Sequence, residues 1–176
     1  MMSLARVPPR AGKGAAMRKA KGFSLIELLI VVAIILIIAA IAIPNLIRSK
    51  LVANEASAVA SVRTITTAET AYAQTFPSIG YTCTIGELGP PASGGPITSS
   101  SAGILDAVLA SGVKAGYTFS ISNCTGVPIS TYSSMAVPLT VGASGTRSFC
   151  SDVSGIIRQG NDGTAATCQS AGIVLL

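Results

Sequence analysis

At 176 residues the chain has room for one modest domain and an N-terminal appendage. Hydrophobic residues make up 49% and charged residues 11%, with much of that apolarity concentrated in one run, so the remainder is an ordinary polar domain rich in Gly, Ser, Thr and Ala. The formal net charge of +5 gives little support to a nucleic-acid partner, because six of the twelve basic residues precede Phe23, where there is no acid; from Phe23 onward six basic residues face seven acidic ones, a net of −1.

Residues 1–22 read as a basic leader carrying Arg6, Arg10, Lys13, Arg18, Lys19 and Lys21. Met17 opens a second plausible start, which would leave a leader of six residues. Residues 23–43 follow as an apolar segment. From Leu28 to Ile43 there are sixteen consecutive apolar residues, and from Phe23 the run is interrupted only by Ser24 and Glu27. As a helix it spans roughly 31 Å, about the thickness of a bilayer hydrocarbon core. The basic flank predicts a single pass with the N-terminus in the cytoplasm.

Pro44 removes one backbone donor and predicts a bend, not necessarily an end. Residues 45–76 contain no further Gly or Pro. Val52, Val59, Val62, Ile65, Tyr72 and Phe76 recur at spacings of three, four and seven, with Arg48, Lys50, Glu55, Arg63 and Glu69 mostly elsewhere. That pattern is a one-sided amphipathic helix. Pro77 disfavours helix at the residue before it. The reading is one long helix over about 24–75, with residues 77–176 as a C-terminal globular domain.

Within that domain Pro90–Ser101 reads as a loop, and Ile104–Ser111 as a short helix stopped by Gly112. Tyr117–Ser122, Ser134–Leu139, Arg147–Cys150 and Ser154–Arg158 are strand candidates. Gly126–Pro128, Gly142–Gly145 and Gly160–Gly163 supply turns. The fold class is α+β, a long N-terminal helix whose second half is covered by a small antiparallel sheet. Cys83, Cys124, Cys150 and Cys168 all follow the apolar run and none forms a C-x-x-C pair. An even number of widely spaced cysteines predicts two disulfides in an oxidising compartment, with three pairings open.

Lys21-Gly22-Phe23-Ser24-Leu25-Ile26-Glu27, continued by the apolar run to Pro44-Asn45-Leu46, resembles the prepilin processing and methylation signature of type IV pilins and type II secretion pseudopilins. The resemblance implies a set of roles. A membrane prepilin peptidase cuts between Gly22 and Phe23, and the new Phe23 amine is N-methylated. Glu27, one helical turn on, pairs with the terminal ammonium of a neighbouring subunit during assembly. The physics of Glu27 agrees: a carboxylate in lipid costs about 2.5–3.5 kcal/mol at a helix centre and less near its end, and cleavage creates the cation that can offset it. The resemblance also favours Cys150–Cys168, closing a C-terminal loop, and so Cys83–Cys124. Each bridge would contribute about 2–4 kcal/mol.

The implied partners are further copies of the chain in a helical filament, the prepilin peptidase, the bacterial inner membrane and a pilus or secretion assembly machinery. The filament would be extracellular or periplasmic. A pseudopilin or a minor pilin is the alternative within the class. A second alternative is a secreted binding domain: Ala40-Ile41-Ala42 resembles a signal-peptidase site and would leave a chain starting near Ile43. Enzymatic function has no support. With no histidine in the chain, Ser-His-Asp, Cys-His and H-E-x-x-H arrangements are excluded, and the cysteine spacings do not suit a zinc ribbon. No cofactor or metal is expected. Gly160-Asn161-Asp162-Gly163 lacks the spaced carboxylates of a calcium loop and reads as a solvated turn. Asn123-Cys124-Thr125 matches a glycosylation sequon by pattern and reads as a turn.

Overall fold

The computed structural model describes residues 22–175. The leader expected over residues 1–22 lies outside them except for Gly22. The chain divides between Ile41 and Ala42 into two units, and α1 (Leu25–Thr75) runs through that division without a break. It also continues through Pro44, which has no N–H to give the Ala40 carbonyl. It is long and apolar enough to cross a membrane, by length and composition.

The second half of α1 is rich in Ser and Thr, which ordinarily compete with helix. Here the hydroxyls turn back onto the helix itself. Ser49, Thr64, Thr67, Thr70 and Thr75 each donate to the carbonyl four residues earlier, at 2.8–3.1 Å. The polar face therefore stays helical, and the opposite face is free to pack.

Six antiparallel strands follow in simple sequential order: β1 (Val113–Lys114), β2 (Tyr117–Thr125), β3 (Thr131–Pro138), β4 (Ser148–Asp152), β5 (Arg158–Gly160) and β6 (Ile173–Val174). Tyr117, Phe119, Ala136 and Phe149 enter one core with Ala58, Val62, Ile65, Ala68 and Tyr72 of α1. Strand alternation sends Ser148 and Cys150 to the other face. There Ser148 donates to the Thr164 carbonyl at 2.6 Å, and Cys150 meets Cys168 of α3 (Ala165–Ala171). Gly145 is confined by this packing, since a Cβ there would lie 2.0 Å from the Tyr117 hydroxyl.

Several expected boundaries move. The helix expected over Ile104–Ser111 shrinks to α2 (Ala107–Ala110). Ile104 and Leu105 instead donate their N–H groups to the Leu88 carbonyl at 2.9 and 2.8 Å, and Asp106 caps α2 through Leu109 N at 3.0 Å. Ser154–Arg158 is not a strand. Asp152 Oδ1 accepts from Ser154 N at 2.9 Å and the Asp152 carbonyl from Gly155 N at 2.9 Å, so a turn occupies that stretch and β5 starts at Arg158. β1, β6 and α3 were not expected. All three are short, and β1 and β6 have two residues each, too few for a periodicity to register.

Candidate functional site

The residues expected to carry processing and assembly stand on the first unit. Gly22 is exposed, and a Cβ on it would meet nothing within 4 Å. Phe23 is 72% exposed. Helical hydrogen bonding begins at Leu28 N, which donates to the Ser24 carbonyl at 3.2 Å, so Glu27 falls in the first turn, where a carboxylate complements the helix dipole. Glu27 is exposed and makes no ion pair among the described residues. From Phe23 to Ile47 every residue except Ala39 is exposed, although nearly all are Leu, Ile, Val or Ala. A contiguous apolar surface of this size on a soluble chain marks a site of membrane or protein contact.

The second half of α1 differs. Its buried positions are Glu55, Ala58, Val62, Ile65, Glu69 and Tyr72, spaced alternately by three and four, with Ser61 and Ala68 beside them. Two expectations fail here. Val52 is 64% exposed, and Glu55 and Glu69, expected off the stripe, lie on it at 5% and 0% exposure. Their carboxylates are tolerated because the domain supplies partners. Glu55 Oε1 accepts from Thr146 N at 2.9 Å, Thr146 Oγ1 at 2.7 Å and Arg147 N at 3.3 Å. Its Oε2 accepts from Arg147 Nε at 2.9 Å and Nη2 at 2.6 Å.

The Arg147 guanidinium is itself fixed, donating from Nη1 to Gln159 Oε1 at 2.7 Å and lying 5.6 Å above the Phe149 ring. Burial works to raise the Glu55 pKa, but the bonds from Arg147 and Thr146 outweigh it and hold the carboxyl below its ordinary value. One helical turn of α1 is thus clamped to the loop before β4. Asn54 adds a further bond, from Nδ2 to the Ser144 carbonyl at 2.9 Å. Sequence reasoning missed this clamp, although the 55–58–62–65–69–72 spacing contained the signal.

The cysteines lie in two pairs, Cys83 with Cys124 and Cys150 with Cys168, each with Cα atoms 6.0 Å apart. The first ties the segment after α1 to the end of β2, and the second ties β4 to α3. Asp162 is occupied within its own turn. Its carboxylate accepts from Thr164 N at 2.9 Å and from the Thr164 hydroxyl at 3.0 Å, with Thr167 as a further donor. Among the described residues no group of three metal-ligating side chains is present. Asn123-Cys124-Thr125 is not a turn but the end of β2, where the register with β3 shifts and Asn123 takes a φ of +55°.

The family model for the prokaryotic N-terminal methylation motif matches residues 17–43. That segment takes in the first part of α1, and the likeness to type IV pilins is a likeness of this N-terminal helix. The chain is 64% identical over 39 residues to the major component of a type IV wide pilus from Thermus thermophilus. The aligned stretch covers 22% of this chain and 30% of that relative, so the likeness is confined to less than a third of either protein. No solved structure matches the chain.

Proposed function

We propose that the chain is a structural subunit of a type IV pilus or a closely related filament, made as a precursor and assembled through the first half of α1. The supporting observation is the exposed, largely apolar run Phe23–Ile47, most of which lies within the matched methylation motif at residues 17–43. Before assembly this helix crosses the inner membrane once. Prepilin peptidase removes the leader between Gly22 and Phe23, and Phe23 is N-methylated. The helices of many copies then pack together in the filament core. Glu27 there meets the terminal ammonium of a neighbouring Phe23, in surroundings drier than water and therefore electrostatically stronger. The assembly machinery supplies the work of moving so apolar a helix out of lipid. The domain from residue 77 onward faces outward, braced by its two disulfides.

The pilus reading is preferred to a pseudopilus because the named relative is a pilus component. Mass analysis of filaments sheared from cells tests the proposal. The expected subunit begins at N-methylated Phe23, and Glu27→Ala abolishes filaments while the precursor still accumulates in the membrane. A mature chain beginning near Ile43, or Glu27→Ala filaments at normal yield, overturns it.

A further inference from the structure

Glu69 sits in the core of the domain with a relative exposure of 0%, and the clamp at Glu55 is not repeated around it. Its Oε2 accepts one hydrogen bond, from Thr82 N at 2.9 Å. Its Oε1 has no partner among the described residues. The polar groups around it are engaged elsewhere. Tyr72, on the same face of α1, donates its hydroxyl to the Ser99 carbonyl at 2.7 Å. The Thr82 hydroxyl donates to Glu87 Oε2 and accepts from Thr84 N at 3.1 Å.

The titratable groups that face Glu69 are Glu87 from the 3₁₀ turn Ile85–Leu88, Tyr72 from α1 and Tyr132 from β3. None is a cation. An ionised Glu69 would therefore be a buried charge with one hydrogen bond and a like charge nearby, the costliest arrangement available to it. With a proton on Oε1, the side chain is neutral and keeps its bond from Thr82. The Thr82 turn is also where water can enter at least cost, because Cys83 and Thr84 beside it are exposed and Glu87 is half-buried.

We propose that Glu69 is a proton lock on the Thr82 turn: protonated, it holds the turn closed against α1, and on losing its proton to solvent it draws water in and loosens that turn. The Cys83–Cys124 bridge ties the turn to β2, and Thr82 O lies 3.8 Å from Cys124 Sγ, so the loosened segment remains tethered and the change is reversible.

Burial, reinforced by the Glu87 charge and opposed by the Thr82 bond, pushes the Glu69 pKa up to about 7 from 4.5. Because the folded value is raised, the closed form is favoured at low pH and is lost as pH rises towards 7. The chain has no histidine, so the side chain that usually senses this range is missing and Glu69 takes its place.

The test uses the full chain in detergent micelles, following amide hydrogen exchange at Thr82 after correction for intrinsic chemistry. The opening equilibrium of the turn is expected to rise about tenfold per pH unit between roughly pH 5 and 7 and then level off, as linkage to one proton requires. Glu69→Gln removes that dependence, and Glu87→Gln moves the plateau to lower pH. A flat wild-type profile, or a Glu69→Gln profile with the wild-type slope, overturns the proposal. Should Glu69→Gln fail to fold, the carboxyl 13C shift of Glu69 in the labelled wild-type chain decides the matter. A midpoint near 7 supports the lock and one near 4.5 removes it.

Discussion

The two halves of α1 are built from similar residues and meet opposite fates. Val62 and Ile65 are fully buried in the core of the domain, whereas Ile34, Ile37 and Ile41 are more than half exposed along the same helix. Both halves are helical, so local conformation does not separate them. The separation lies in the pattern around the circumference. The first half is apolar on every side and offers no polar face to water, so it suits lipid or other copies of itself. The second half is apolar on one stripe and carries Arg, Lys, Ser and Thr around the rest, which suits a single packed face and a wet back. One helix therefore presents two different kinds of surface along its length.

The contrast can be broken most severely at the clamp. Arg147→Ala leaves the buried Glu55 carboxylate without its cation and is expected to destabilise the domain by about 3–5 kcal/mol in denaturant unfolding. Next comes Ile65→Ala, which removes three carbons from a closed core and should cost about 3 kcal/mol by the same measurement.

A pH scan sharpens the comparison within the buried stripe, because its two glutamates respond with opposite sign. Glu55 is held below its ordinary pKa, so its contribution is present above about pH 4.5 and disappears as pH falls through its folded value. Glu69 is raised, so its contribution is full at about pH 4.5 and lost as pH rises through 7. The domain should consequently be most stable in mildly acidic solution, and thermal midpoints measured from pH 3 to 9 should peak near pH 5. A peak above pH 7 would contradict the assignment of Glu69. The smallest effect is expected from Ile37→Ala, within about 0.5 kcal/mol on domain unfolding, since that side chain is 63% exposed.

Much of the architecture was legible because its signals are local and long. The apolar run and the absence of Gly and Pro over residues 45–76 are continuous over many residues, and α1 ends at Thr75, as expected from Pro77. The cores of β2, β3 and β4 overlap the expected segments for the same reason. The failures are of another kind. Ser154–Arg158 has strand-forming residues, but Asp152 captures the backbone of Ser154 and Gly155. Ile104 and Leu105 have helix-forming residues, but the Leu88 carbonyl claims both their N–H groups. In each case a partner distant in sequence or a side-chain oxygen outbid local preference.

From its own residues, the chain determined a long helix with an almost wholly apolar first half, followed by a domain carrying four cysteines. Only the tertiary structure decided that Glu55 and Glu69 lie inside. A carboxylate's place depends on the donors that fold back to meet it, and Arg147 and Thr82 are 92 and 13 residues away. Hydrophobic pattern is set by neighbours along the chain, while the solvation of a buried charge is set by neighbours in space.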